Sequence, residues 1–165
     1  MARASAVCLA LCAGCMTHGH NQIGASTTYE AAPIPGLTLR SVGAQDPDKV
    51  WNLLGTSALK VGPDAVEASM GLGLAHHVPL TPELRAYVLA HVDVLGAGYT
   101  FGTSYPHISA MGPGLEAGFT WKPPHRKQDR MGWWSVSVFV DHDARFGPDR
   151  ATYMGVQLGS FWGTP

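Results

Sequence analysis

The 165-residue chain has little charge of either sign, only three cysteines, and no long apolar run. With 11 basic and 12 acidic side chains its formal net charge is -1, so no global field steers it to nucleic acid or an anionic surface. No stretch reaches the roughly 18 apolar residues that a spanning helix needs. A domain takes about 100 to 200 residues, so the chain holds one and not two. What is plentiful is glycine, with 20, and proline, with 12, beside five each of Trp, Tyr and Phe. That mixture suits many turns between aromatic-bearing strands.

All three cysteines fall in the C-x3-C-x2-C spacing of Cys8, Cys12 and Cys15. The spacing resembles the signature that holds a four-iron cluster in radical S-adenosylmethionine enzymes. That site sits on an α/β barrel of on the order of 200 residues, which this chain has no room to build. Cluster thiolates are also tuned by hydrogen bonds, whereas these lie among Ala, Val and Leu. The segment as a whole reads as an export signal. Arg3 supplies the positive start, Ala4 to Ala13 the apolar stretch, and small Ala13 and Gly14 precede Cys15. Leu11-Cys12-Ala13-Gly14-Cys15 resembles a bacterial lipobox, which implies that Cys15 is acylated and becomes the mature N-terminus. Ordinary cleavage after Gly14 or slightly downstream is the alternative. Either way no intramolecular disulfide is expected.

The expected division is a signal peptide over 1–14, a flexible polar tether over 15–35 and a folded domain over 36–165. His18 and His20 read as a polar flank, with a small metal clip as the sharper alternative. Asp46-Pro47-Asp48 before Trp51 predicts a short capped helix ending near Gly55.

From Ala58 onward the period is two. VEASMGLGLAH, LRAYVLAHVDV, GLEAGFTWK, WWSVSVFVD and TYMGVQLGSFW each carry one apolar face and one small or polar face. Turn residues separate them, and weaker strands are expected at 37–42, 57–61 and 97–103. For the run after Thr81 a helix competes, since Thr-Pro-Glu also starts helices. The fold class is therefore all-β: an antiparallel meander closing into a β-barrel of about eight strands, which removes its edges.

A soluble barrel would turn the apolar face inward, and a transmembrane barrel would turn it to lipid. Strand length, glycines on the polar face, and aromatics near strand ends favour the membrane version. The aromatics are Tyr99, Phe101, Trp121, Trp133, Trp134, Phe161 and Trp162. The expected lumen network is Glu67, Arg85, His91, Asp93, Glu116, Lys122 and Asp141, mixed in sign and able to pair off. On these runs the chain over about 36–162 resembles small bacterial outer-membrane β-barrels. The resemblance implies a non-conducting envelope barrel with a structural or interaction role, at the outer membrane of a Gram-negative-type bacterium. A lipid-tethered soluble β-domain binding a small or lipidic ligand, periplasmic or secreted, is the alternative.

His107-Ile108-Ser109 with Glu116 following resembles the His-x-Ser pair and acid of outer-membrane lipid A deacylases, which makes a lipid-modifying enzyme the second alternative. Loop residues are the blander reading. His76-His77 and Asp141-His142-Asp143 place neighbours on opposite strand faces, so they read as strand-edge residues and not as a metal site. The loop from Pro123 to Arg130, with His125, Arg126 and Lys127, has the charge to touch lipopolysaccharide phosphates. No motif asks for a cofactor, and there is no phosphate-cradling glycine loop.

Overall fold

The computed structural model describes residues 18–29, 33–63, 65–101, 106–109, 112–123, 132–144 and 150–163. Nine strands form one sheet: β1 (His18–Tyr29), β2 (Pro33–Gly43), β3 (Trp51–Val61), β4 (Ala65–Pro79), β5 (Leu84–Thr100), β6 (Pro106–Ser109), β7 (Gly112–Trp121), β8 (Trp134–Ala144) and β9 (Arg150–Gly163). Leaving aside β6, successive strands are antiparallel neighbours, β5 pairs with β7, and β1 pairs with β9, so eight strands close into a barrel. The short β6 continues beside the far end of β5, where Gly96 faces Ser109 and Tyr99 faces Pro106. Among the described residues there is no helix.

Starting at Leu84 on β5, hydrogen-bonded partners lead through Trp121, Trp134, Ser160, Asn21, Ser41, Ser57 and Met70 back to β5 at Leu95. That is eleven positions further along β5, one of them absorbed by the bulge at Met70/Gly71. A stagger of about ten over eight strands corresponds to a tilt of about 40°. Each residue then climbs about 2.5 Å along the barrel axis, and each step to the next strand about 3 Å.

Three expectations are corrected. The tether over 15–35 is not a tether from His18 onward, because His18–Tyr29 is a full strand hydrogen-bonded on both sides and Pro33 already opens β2. Its alternation is hard to see because the outward set is Gly19, Asn21, Ile23, Ala25 and Thr27, with one large apolar residue. The helix near 46–55 is absent. Asp46 instead accepts the Asp48 N–H at 2.9 Å in a turn, and strand β3 starts at Trp51. A carboxylate holding an N–H two residues on serves a turn as well as a helix cap. After Thr81 the strand reading holds, since the Thr81 hydroxyl accepts from the Glu83 and Leu84 N–H groups in a tight turn before β5.

Candidate functional site

The polar face of the meander points inward and fills the lumen. Arg40 on β2 is its centre. One guanidinium nitrogen meets Glu116 Oε2 at 3.0 Å, the other pairs with Asp141, and Cζ lies 5.1 Å from the centre of the Phe139 ring. Glu116 also accepts from Gln22 Nε2 at 2.5 Å and from the Tyr87 hydroxyl. Asp141 is shared with Lys60 Nζ at 3.3 Å, and His91 Nε2 stands 3.3 Å from its other oxygen and 3.9 Å from Asp93. Nearer the end opposite the chain termini, Tyr153 donates to Glu67 at 2.7 Å, and Lys60 lies over its ring. Buried charges are costly unless paired, and Arg40, Lys60, Glu116 and Asp141 pair across the bore, while Arg40 Nε and His91 Nδ1 are buried without a hydrogen-bond partner among the described residues.

A second cluster closes the end that carries the termini. Gln45, in the β2–β3 connection, reaches into the barrel and bridges two imidazoles. His20 donates from Nδ1 to its oxygen at 3.2 Å, and its amide donates to His77 Nε2 at 3.3 Å. Ser135 donates to His20 Nε2 at 2.6 Å, while Phe161 stacks on His20 and Tyr87 on His77.

The apolar face points outward. Ile23, Leu53, Leu72, Val138, Val156 and Leu158 each expose more than half of their surface. Trp51, Trp121 and Trp134 lie about 3 to 6 Å above the level of Leu84, and Thr27, Thr152 and His142 about 26 to 30 Å above it. The apolar belt between those levels is thus about 25 Å tall, the height of the band on transmembrane barrels.

Of the expected network, Glu67, His91, Asp93, Glu116 and Asp141 are buried in the lumen. Arg85 and Lys122 are half-buried at its end. Arg85 pairs with Asp48 at 3.0 Å and covers Trp133 at the rim, and Lys122, just past β7, donates its backbone N–H to Glu83. The cations that do balance the interior, Arg40 and Lys60, were missed, as was Gln22, whereas Tyr87 and Tyr153 lie on the polar face of the runs read from the sequence but outside the expected network. Parity carried through 38-40-42 and 54-56-58-60 is the signal that finds Arg40 and Lys60. Of the expected aromatics, Tyr99, Phe101, Trp121 and Trp134 are exposed, but Trp133 and Phe161 are buried inside. Trp133 and Trp134 are adjacent and must face opposite ways. The side chain of Trp162 lies outside the described ones.

The acid of the His-x-Ser resemblance is misplaced. Ser109 is level with Gly96 on β5, whereas Glu116 is level with Leu89, seven positions away and so about 23 Å along the strand. Glu116 is committed to Arg40, Tyr87 and Gln22 and cannot orient His107. His76 packs outward on Trp51 while His77 faces in, and Asp141 faces in while His142 meets Thr152. Among the described residues no three His, Cys, Asp or Glu side chains are grouped to hold a metal. Cys8, Cys12, Cys15 and the basic residues His125, Arg126, Lys127 and Arg130 lie outside the described residues.

No family model matches the chain, and no curated protein matches its sequence. Among solved structures the chain is similar to Neisserial surface protein A, with a TM-score of 0.64 at 9% identity over 89% of this chain and 96% of that one. It is also similar to the outer membrane enzyme PagL, with a TM-score of 0.54 at 11% identity over 89% of this chain and 99% of that one. The chain therefore has the fold of the eight-stranded outer-membrane β-barrels.

Proposed function

We propose that the chain is an exported envelope lipoprotein whose barrel spans the outer membrane of a Gram-negative-type bacterium, does not conduct, and has a structural or interaction role. The observation that carries this reading is the orientation of the two faces. A soluble, ligand-binding barrel needs its apolar side chains inside, and here they form an outward belt around a lumen filled by Arg40, Lys60, Glu116, Asp141 and their partners. Charges paired to one another across the bore support the reading that it does not conduct.

The lipid anchor is supported by chain length. His18 begins β1 at the tryptophan-bearing end, and Cys15 precedes it by three residues, a reach of about 10 Å. An acyl group on Cys15 would thus enter the leaflet at that end. The β7–β8 connection, with Arg126, Lys127 and Arg130, joins its strands at the same end. Its natural partner is the phosphate of membrane lipid in that leaflet, lipopolysaccharide if the termini face outward.

The test is migration of the mature protein in gels with and without boiling, together with its need for detergent. The expected result is a heat-shifted band and folding only in detergent or vesicles, with no conductance in planar bilayers. Folding in water alone would sink the spanning barrel. Palmitate labelling lost in Cys15→Ser supports the anchor, and equal labelling removes it.

A further inference from the structure

The outward belt is interrupted at one place by hydrogen-bonding side chains. Ser160 on β9, Asn21 on β1, Ser41 on β2 and Ser57 on β3 are consecutive partners in one ladder row. All four face out, Asn21 exposed and the serines half-buried. By the stagger of the barrel they lie about 9 to 19 Å above Leu84, inside the apolar belt. The Ser41 hydroxyl donates to Asn21 Oδ1 at 2.9 Å, and no hydrogen bond occupies the Asn21 amide nitrogen among the described residues. A depression of about 260 Å³ opens at this row, walled by Leu39 and Leu59.

Acyl chains offer nothing to a carboxamide and three hydroxyls, and a polar group left unsatisfied in hydrocarbon is expensive. From this geometry we infer that the β9–β1–β2–β3 face is the interface at which two copies of the chain pair within the membrane. Copies inserted in the same direction are related by a two-fold axis along the membrane normal, which brings equal depths together. Asn21 of each copy then meets the Asn21–Ser41 pair of the other. A carboxamide donates and accepts, so the patch is complementary to itself.

The inference rests on the spanning barrel proposed above. Its test is sedimentation equilibrium of the full chain folded in density-matched detergent micelles, for the parent and for Asn21→Leu/Ser41→Val. The parent is expected to be a monomer–dimer mixture that shifts with protein-to-detergent ratio. The double variant, folded by its heat-shifted band, is expected to associate at least about ten-fold more weakly. If that variant fails to fold, Ser41→Ala/Ser57→Ala, which adds no bulk, is expected to weaken association in the same direction. A parent that is embedded but monomeric overturns this inference and leaves the spanning barrel standing, even if a different envelope protein binds the face. Equal association of parent and folded variant overturns it too. A chain that folds without detergent overturns both.

Discussion

Arg40 and Glu116 belong to strands on opposite sides of the barrel, β2 and β7, and their side chains meet across the bore at 3.0 Å. Through its other nitrogen Arg40 also holds Asp141 on β8, so one guanidinium braces three strands that include no neighbour of β2. Its planar fork serves two carboxylates at once, which an ammonium cannot do with the same geometry.

Arg40→Leu therefore strands two buried carboxylates and is expected to destabilise the folded barrel by about 3 to 5 kcal/mol, as breaking a buried ion pair does. Removing the charges together, in Arg40→Leu/Glu116→Gln/Asp141→Asn, is expected to cost less than the single change. Urea unfolding in lipid vesicles measures both. A triple variant less stable than the single one would mean that the two carboxylates are solvated and do not depend on Arg40.

Glycines on the inward face are there for space. A Cβ on Gly155 would press on the Ala25 carbonyl oxygen and stand 2.8 Å from Ser26 Cα and 2.9 Å from Phe139 Cε1. A Cβ on Gly62, in a turn, meets nothing nearer than the Ala65 carbonyl oxygen at 3.7 Å. Gly155→Ala is expected to cost about 1 to 3 kcal/mol through overpacking. Gly62→Ala is expected to stay within about 0.5 kcal/mol of the parent. Comparing the two unfolding midpoints checks this, and equal costs would count against the crowded lumen.

What the sequence makes legible follows from how large the outward side chains are. In β4, β5, β7, β8 and β9 Leu, Val, Phe and Trp alternate with Gly, Ser, Glu and His, so both period and parity can be read. In β1 the outward set of Gly19, Asn21, Ala25 and Thr27 around a single Ile23 erases that contrast, and the strand looks like a linker. The same weakness hid the interior charges on β2 and β3. Without parity for 37–42, Arg40 could not be assigned to the lumen, and rim residues Arg85 and Lys122 took its place. Two turn devices, at Asp46 and Thr81, imitate helix caps because a side-chain oxygen accepting a nearby N–H is common to both.

The end that carries the termini depends on Gln45, which sits inside because Ala44 adopts φ 62° and turns the chain inward. That conformation suits glycine better than alanine. Ala44→Gly is thus expected to leave stability unchanged or raise it by about 0.5 to 1 kcal/mol. Gln45→Leu leaves His20 and His77 without their shared partner and is expected to cost about 1 to 3 kcal/mol. Unfolding in vesicles reads both signs, and destabilisation by Ala44→Gly would mean that the loop is held by other contacts.

The belt itself gives the sharpest contrast between lipid and water. Val138 on β8 points outward about 16 Å above Leu84, close to the middle of the apolar band, and is 58% exposed. Thr27 on β1 also points outward, but at the band's upper edge. In a bilayer Val138→Arg is expected to cost about 2 to 4 kcal/mol and Thr27→Arg about 0 to 1, because the penalty for a cation falls with distance from the midplane. On a barrel bathed in water both positions lie on the outer surface, Val138 exposed and Thr27 half-buried, and both changes would be close to neutral. Paired unfolding titrations in vesicles separate the two cases. A cost at Val138 no greater than at Thr27 would mean that lipid does not surround this belt.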